Sequence, residues 1–592
     1  MSVNSFREDE EQKVVLNSKT MLRLYKYLLA YRWQIVLVLI IMSVTITISL
    51  VNPLIIERAI NVHVAEKDWR SLISLGVIAV VINMVFFFGI KLRMLIMSKM
   101  SNQVLMTIRD QLYSHIQKLG FGFFDSRPTG KILARIIGDV NSLKEVLSDS
   151  VTTLIPDMLT VVSIAAIMLI KDYRLAMAAI ITLPLLILLM TIVQRFAHKG
   201  WQDHRKKSSN LNAFVHEELS GARVIQSFCA EEQSMTDLDE LIGRYTKSFS
   251  RAVRWSDAFG PSIDLVWSIG GFILYYIAVR VIGVGNIGVG TIIAFSTYMS
   301  MFWTPIRNLS NYYNKLVSNV SAAERVFDIL DTEPELVDRE GAGELPEISG
   351  RVRFENVSFA YADEKEKRVL DNVSFDVQPG ETIALVGPTG AGKTTIINLI
   401  GRFYDIEEGR ILIDDYDLKD VTIESLRQQL GVMTQENFIF SGTIKENIRY
   451  GRLDATDEEI EAAAKAVGAH DFIMRLEKGY DTELSEGNGL SAGQRQLVAF
   501  ARTMVSSPRI LILDEATSSI DTKTELMVQA GIQRLLEGRT SFVVAHRLST
   551  IKRADRIFVI DDGHICEQGS HDQLMELKGK YYDLYQAQFL SI

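Results

Sequence analysis

Long apolar runs dominate the first half of this chain and constrain its fold more than any other feature. Residues 1–330 contain several stretches of about 20 mostly apolar residues, the length that a helix needs to cross a lipid bilayer. A helix buried in a soluble core would explain any one of these stretches, but not all of them. The sequence predicts six membrane-spanning helices, at residues 33–55, 71–97, 147–170, 174–196, 260–282 and 286–306.

The segments between the apolar runs predict how the chain crosses the membrane. Short connections at residues 171–174 and 283–288 indicate two tight hairpins. Residues 98–146 and 197–258 are instead long and rich in lysine and arginine, which favours the cytoplasmic side of the cell membrane. With six spans, both chain termini are then also expected in the cytoplasm.

Composition argues against some classes of protein. A chain of 592 residues is too long for one hydrophobic core and predicts several domains. Its hydrophobic fraction of 48%, with the charge concentrated elsewhere, indicates one part in the membrane and another outside it. The net charge of −9 argues against a nucleic-acid partner. The cysteines Cys229 and Cys566 lack metal-ligand spacing and indicate a reducing compartment without disulfides.

Residues 387–395 form a motif that predicts a phosphate-binding loop. The sequence Gly-Pro-Thr-Gly-Ala-Gly-Lys-Thr-Thr fits G-x-x-x-x-G-K-[ST]. It follows residues 383–386, which predict a buried strand, and precedes residues 396–400, which predict the start of a helix. In that context glycines let backbone N–H groups surround phosphate oxygens. Lys393 would contact the β- and γ-phosphates of a nucleoside triphosphate, and Thr394 would bind Mg²⁺.

A second apolar stretch, residues 510–513, predicts a strand that ends in two carboxylates. Asp514 would coordinate Mg²⁺ through water, and Glu515 would polarise the attacking water as general base. Acidic strand ends are common, so these two roles depend on the phosphate loop upstream.

Several further motifs make the chain resemble the ATP-binding cassette (ABC) family. Residues 490–494 spell LSAGQ, close to the family's LSGGQ signature. The motifs follow the family's order across residues 351–592, after the apolar runs, so the whole chain resembles an ABC exporter half-transporter of the multidrug type. The other matching residues are the Q-loop Gln435, the D-loop Asp521, the switch histidine His546, and Tyr361 at the position of the aromatic that stacks on adenine.

The resemblance implies a fold class and a domain plan. An α-helical six-span membrane domain with long cytoplasmic helical extensions would occupy residues 1–306. A linker would cover residues 307–349, and an α/β ABC-type P-loop nucleotide-binding domain residues 350–592. In the family, two such domains meet head to tail around two ATP molecules. Residues 123–132 and 217–225 would be the coupling helices that carry the resulting motion to the spans.

The resemblance also implies roles for single residues, with ATP and Mg²⁺ as cofactors. Glu515, His546 and Gln435 would be catalytic, with His546 at the γ-phosphate and Gln435 sensing Mg²⁺ and the attacking water. Thr394, Gln435 and Asp514 would hold Mg²⁺. The residues expected to contact ATP are Tyr361, Gly387, Thr389, Gly390, Gly392, Lys393, Thr394, Thr395, Ser491, Gly493, Gln494 and Asp521.

The signature departs from the family's pattern at Ala492. Glycine permits positive φ and a close backbone approach, whereas alanine adds a methyl group, so we expect a poorer clamp on the γ-phosphate. An altered signature beside an intact Glu515 resembles one subunit of the heterodimeric bacterial exporters, whose partner has a sound signature and lacks the glutamate. The alternative is a homodimer that tolerates alanine.

The leading functional hypothesis is ATP-driven export of amphipathic compounds, with drug, lipid and peptide cargo left open. One alternative is a soluble ABC ATPase, and the six predicted spans argue against it. Another is an ATP-gated channel, for which the sequence shows no selectivity filter. Asp157 and Asp264 fall inside predicted spans. They would either attract cationic amphiphiles or, as we favour, form hydrogen bonds within the helix bundle.

Overall fold

The chain folds into two compact units that are interleaved in sequence. The computed structural model describes residues 18–283, 287–361, 367–433, 438–484, 489–514, 522–544 and 548–589. A helical unit comprises Met1–Ser114 and Leu133–Asp331, and an α/β unit comprises His115–Ile132 and Thr332–Ile592. The segment His115–Ile132 is therefore flanked by the helical unit in sequence but belongs to the α/β unit.

Helices make up the described residues between 18 and 331 almost entirely. In chain order they are α1 (Ser18–Leu29), α2 (Arg32–Arg58), α3 (Trp69–Ile116), α4 (Phe121–Asp125), α5 (Thr129–Ala134), α6 (Val140–Asp149), α7 (Ile155–Lys171), α8 (Tyr173–Ile180), α9 (Thr182–Ser220), α10 (Ala222–Ser227), α11 (Glu231–Asp257), α12 (Phe259–Tyr276), α13 (Val289–Met301) and α14 (Trp303–Asp331). Short π-helical turns lie at Ala59–Val64, Arg135–Asp139, Ser150–Leu154 and Ile277–Gly283.

Five helical stretches within the described residues are long and apolar enough to cross a membrane. They are Arg32–Val64, Trp69–Ile116, Thr129–Lys171, Tyr173–Ser220 and Glu231–Arg280, which contain most of the first five predicted runs. The sixth predicted run, residues 286–306, corresponds to α13 and the beginning of α14, separated at Phe302. The count of six spans stays a prediction.

Helix α3 presents the apolar surface that a lipid environment requires. Its large side chains Val77, Val81, Phe87 and Leu95 are all exposed. A continuous apolar face of this kind is rare on soluble proteins, because water solvates it poorly. The run predicted at residues 71–97 therefore lies on a helix suited to contact with lipid.

A half-buried aspartate joins two helices of this unit. Asp157 of α7 accepts a hydrogen bond of 2.9 Å from the side-chain amide of Asn308 on α14. It also lines a small cavity with Val161, Ile306 and Tyr312. The hydrogen bond within the bundle, which the sequence favoured for Asp157, is present.

Helix α14 extends far into the region predicted as linker. The sequence predicted a linker at residues 307–349, and α14 occupies this range as far as Asp331. Its side chains Val320, Ala323 and Val326 are buried, because they recur at helical spacing on one face. The linker bounds stay a prediction, and the described connection without helix or strand lies between Asp331 and Val352.

Three sheets occur in the part of the α/β unit that the structure describes. Its strands are β1 (Val352–Phe359), β2 (Leu370–Val377), β3 (Thr382–Val386), β4 (Glu408–Ile413), β5 (Tyr416–Asp417), β6 (Leu430–Met433), β7 (Gly442–Thr443), β8 (Glu483–Leu484), β9 (Ile510–Asp514), β10 (Thr540–Val544), β11 (Arg556–Asp561) and β12 (His564–Gly569). One sheet has the order β2-β1-β4-β5 and is antiparallel. The largest has the order β12-β11-β3-β10-β9-β6, parallel except for β12, and β7 pairs with β8.

Helices cover the largest sheet on both faces. They are α15 (Lys393–Ile400), α16 (Ile423–Arg427), α17 (Ile444–Arg449), α18 (Asp457–Ala466), α19 (His470–Ile473), α20 (Ala492–Val505), α21 (Thr522–Leu536), α22 (Leu548–Arg553), α23 (His571–Leu577) and α24 (Lys580–Phe589). Alternate residues of β9 enter two different cores: Ile510 and Ile512 pack in one, Leu511 and Leu513 in the other. A strand that is buried on both faces has a continuous apolar sequence, and this pattern is why β9 was predicted as a strand.

The register of the parallel strands places the beginning of the phosphate loop and Asp514 at one edge of the sheet. Val544 of β10 lies opposite both Leu385 of β3 and Asp514 of β9. The carboxyl ends of β3 and β9 therefore end level with each other, on either side of β10. Ligands of open α/β sheets bind outside such carboxyl ends.

Candidate nucleotide site

Three glycines give the loop after β3 its shape. Gly387, Gly390 and Gly392 have φ angles of +152°, +85° and +106°, which L-residues with a side chain rarely adopt. A Cβ atom on Gly387 would lie 2.1 Å from the carbonyl oxygen of Ile560, so no side chain fits there. By contrast, a Cβ on Gly390 would meet no atom within 4 Å. The loop therefore has no room for a side chain at Gly387 but has open space at Gly390.

Lys393 begins α15 and folds back over this loop. Its ammonium group donates to the carbonyl oxygens of Gly387, at 2.9 Å, and Pro388, at 2.8 Å. Burial lowers the pKa of Lys393, and the carboxylate of Asp514 opposes that shift. The lysine and the aspartate are therefore electrostatic neighbours at the shared edge of β3 and β9.

The hydroxyl side chains of the loop differ in exposure. Thr389 and Thr394 are exposed, so both are accessible to a ligand, whereas Thr395 is buried. The hydroxyl groups of Thr395 and Tyr361 are hydrogen-bonded at 3.0 Å. Tyr361, the residue predicted to stack on adenine, is thereby hydrogen-bonded to the last residue of the phosphate-loop motif.

The residues present fit ATP and Mg²⁺. A glycine-lined loop at a helix N-terminus supplies N–H donors for phosphate oxygens, and Lys393 supplies a positive charge. Magnesium at such sites takes few protein ligands and completes its shell with phosphate oxygens and water. Within the described residues, no group of three or more His, Cys, Asp or Glu side chains is arranged to hold a metal.

The signature residues form the start of α20. Ser491 caps the helix: its hydroxyl accepts from the N–H of Gln494 at 3.2 Å, and its own N–H donates to the Gln494 side chain at 2.9 Å. Gly493 is buried one position after the exposed Ala492. Ala492 occupies the first helical position, so its backbone needs no positive φ. The methyl group is thus the feature of Ala492 that bears on the predicted poorer clamp, which stays a prediction.

Some predicted site residues lie outside the described part of the chain. They are the catalytic candidates Gln435, Glu515 and His546 and the D-loop residue Asp521. Their roles stay predictions. Among the described site residues, the structure brings together Tyr361, the phosphate loop with Lys393, and Asp514.

The segment His115–Ile132 contributes contacts that sequence reasoning did not identify. The hydroxyl group of Tyr404 donates to a carboxylate oxygen of Asp125. Beside it, the rings of Phe121 and Phe403 meet edge to face with centroids 4.7 Å apart. One sequence feature could have indicated these contacts. The aromatic residues Phe403 and Tyr404 are adjacent and follow directly after the helix behind the phosphate loop, and two bulky rings at such a position need a surface to pack against.

Comparison with known proteins identifies the family. Residues 35–306 match the ABC transporter transmembrane region, and residues 370–518 match the ABC transporter family. The chain is 40% identical over 590 residues to an uncharacterized ABC transporter ATP-binding protein, YknV, of Bacillus subtilis (strain 168), covering 99% of this chain and 97% of that protein. The chain belongs to the ABC transporter family. It combines a helical membrane region with an ABC ATPase domain, so ATP hydrolysis in this transporter is coupled to transport.

Two further similarities place the transporter among exporters. It is 39% identical over 497 residues to an ATP-dependent lipid A-core flippase of Syntrophus aciditrophicus (strain SB), covering 84% of this chain and 82% of that one. A solved structure of a bacterial Atm1-family ABC exporter with ATP bound superposes with a TM-score of 0.76 and 27% identity, over 94% of this chain and 98% of that one. The transporter is thus a multi-pass membrane protein of the exporter type, with a cytoplasmic ATPase domain by family.

Proposed function

We propose that this transporter exports amphipathic compounds, lipid-like molecules or drugs, across the cell membrane by alternating access. The proposal rests on one observation: a phosphate loop and an acidic strand end share an edge in a chain that also presents lipid-exposed apolar helices. A pump for amphipathic cargo needs both an energy source and a surface in contact with lipid. The flippase relative, which by its name acts on lipid A-core, supports a cargo of this class.

Each residue of the proposed ATPase site has a role that follows from its chemistry. Lys393 compensates the negative charge of the β- and γ-phosphates, and Tyr361 stacks on the base. Mg²⁺, held by Thr394 and Asp514, would neutralise charge that develops on the phosphate oxygens. Glu515 accepts the proton of the attacking water, the step that limits hydrolysis without a base.

A second, different ABC subunit completes the two ATP sites. This chain's own signature carries the exposed methyl group of Ala492 at the helix start, where a γ-phosphate would approach the N–H groups. The ATP bound to this chain's phosphate loop faces the partner's signature and is hydrolysed. The ATP that faces Ala492 stays bound longer and turns over slowly.

The subunit composition is tested by purification from the native membrane. An affinity-tagged chain should co-purify with a second ABC half-transporter in equal amount, and Ala492→Gly should change hydrolysis by the complex only modestly. Full drug-stimulated ATPase and transport by the chain expressed alone would instead establish the homodimer.

Transport itself is tested in inside-out vesicles that contain the chain and its native partner. Fluorescent lipids and amphipathic dyes should accumulate in the vesicles only with hydrolysable ATP. An ATP-dependent ionic conductance without accumulation would identify a channel, and competition by peptides alone would redirect the proposal to peptide export.

A further inference from the structure

The side chain of Tyr404 touches two different elements of the α/β unit. On one side, its hydroxyl group donates to Asp125, which ends α4 in the segment His115–Ile132. On the other side, its ring meets the ring of Tyr361 edge to face, with centroids 5.2 Å apart and planes at 88°. Tyr404 therefore bridges the first predicted coupling region and the predicted adenine-stacking residue.

The contacts around Tyr361 leave its ring little freedom. Phe359 meets it edge to face at 5.0 Å and also lies 5.7 Å from the ring of Tyr404. The hydroxyl group of Tyr361 is bonded to Thr395 at 3.0 Å. Three rings and two hydrogen bonds thus fix one arrangement, and edge-to-face ring contacts depend on that orientation.

The segment that carries Asp125 is itself held against the same part of the unit. Phe121 packs edge to face on Phe403, and the guanidinium group of Arg427 lies 4.9 Å from the centre of the Phe403 ring. Arg427 in turn donates to the carbonyl oxygen of Arg402 at 2.9 Å. Because Phe403 and Tyr404 are adjacent, movement of this segment would displace both rings together.

We propose that Asp125, acting through Tyr404, positions Tyr361 and so sets the affinity of the site for the base of the nucleotide. The inference rests on the stacking role given to Tyr361 under the proposed function. Asp125 and Tyr404 are positioning residues, since neither is assigned a contact with the reacting phosphate. A residue in the segment that connects α3 to α6 in the chain would then control nucleotide affinity, and bound nucleotide would in return stabilise the position of that segment.

The chemistry of Tyr404 suits it to this role. Burial, followed by the nearby carboxylate of Asp125, raises the pKa of the Tyr404 phenol, so it stays protonated and remains a donor at any physiological pH. Without Asp125 this half-buried hydroxyl group would lose its charged acceptor. The ring would then be free to turn away from Tyr361.

The test compares Tyr404→Phe, Asp125→Ala and the double variant in the assembled transporter with its native partner. Each single variant should raise about fivefold both the Kd for a fluorescent ATP analogue, measured by equilibrium binding without turnover, and the KM for ATP, the effect expected from one hydrogen bond, and leave kcat within about twofold. The double variant should be no worse than either single variant, because both remove the same bond. Asp125→Asn, which keeps an acceptor oxygen, should restore part of the affinity. Tyr416→Phe, on the exposed strand β5, is the matched control and should change nothing.

A second ligand separates positioning of the base from a general disturbance of the fold. Inorganic triphosphate has no base, so its competition against ATP hydrolysis should be equally strong in all variants when each is measured at its own KM. Weakened triphosphate binding, additive effects in the double variant, or an unchanged KM for ATP would each overturn the proposal. Tyr361→Ala distinguishes failure of the positioning proposal from failure of the stacking role itself. If it raises KM while Tyr404→Phe and Asp125→Ala do not, stacking stands and positioning fails. If Tyr361→Ala has no effect, the stacking role itself fails.

Discussion

Glycine residues of the phosphate loop are required for two separable reasons, backbone conformation and space. Gly387 and Gly390 share a positive φ, but only Gly387 lies against another strand, with a prospective Cβ 2.1 Å from the Ile560 carbonyl oxygen. Gly387→Ala should therefore abolish ATP binding and lower the thermal midpoint, while Gly390→Ala should cost about 1–2 kcal/mol of stability from backbone strain alone. Nucleotide binding and thermal unfolding of both variants check this. Gly380→Ala, also at positive φ in open space but outside the loop, serves as control. Equal effects of the two loop substitutions would show that the contact with Ile560 is unimportant.

The role predicted for Glu515 makes a kinetic prediction that leaves binding untouched. Glu515→Gln should reduce steady-state hydrolysis by about 10²–10⁴-fold, because an amide cannot accept the proton of the attacking water. ATP affinity should be preserved, since the phosphate loop and Lys393 are unchanged. Measurement of hydrolysis and of nucleotide binding on the same preparation checks both parts. Retention of more than about a tenth of the wild-type rate would show that another group is the base.

Among the helices, α9 and α11 pack so closely that their contact depends on one small residue. A Cβ on Gly200 of α9 would lie 2.9 Å from the Cα of Ala252 on α11. Near it, the indole N–H of Trp201 donates to Ser256 at 2.8 Å, and the buried His204 lies 3.3 Å from the Ser248 hydroxyl. These contacts join the two long helices over the region predicted to extend into the cytoplasm.

A matched pair of helical glycines tests this packing. Gly200→Ala should destabilise the protein by about 1–3 kcal/mol, because the backbone of α11 must move away. Gly243→Ala, on α11 with no atom within 4 Å of the prospective Cβ, should stabilise it by about 0.5–1 kcal/mol through lower chain entropy. Thermal unfolding in detergent should therefore shift in opposite directions. A shift of the same sign in both would contradict the close packing.

Elements that depend on interactions between residues close together in the sequence were predicted, whereas those that depend on contacts between distant residues were not. The strand before the phosphate loop was predicted to within one residue, since β3 is Thr382–Val386, and the helix after it begins at Lys393, three residues before the predicted start. Both depend on local pattern and glycine chemistry. The extension of α14 to Asp331 was missed because its polar surface resembles that of a linker, while the buried stripe that stabilises it becomes visible only in the fold. The contact of Tyr404 with Asp125 joins residues 279 positions apart, and no local pattern indicates such a pair.

The molecule as a whole couples two units through its chain path. The segment His115–Ile132 leaves the helical unit and folds with the α/β unit, so its two ends are covalently continuous with long helices of the other unit. The chain therefore runs from this segment into α3 on one side and into the residues after Leu133 on the other. That continuity gives the proposed pump a physical connection between its ATPase site and its membrane helices.

Simultaneous recording of ATP hydrolysis and substrate uptake in proteoliposomes examines that connection most directly. The assembled transporter, reconstituted with its native partner and a fluorescent lipid-like substrate, should accumulate substrate only while it hydrolyses ATP. Glu515→Gln should bind ATP yet stop both activities together, by at least about 10²-fold. Uptake that continues in the Glu515→Gln variant, or hydrolysis by the wild type that never moves an amphipathic substrate, would contradict ATP-driven export by this chain.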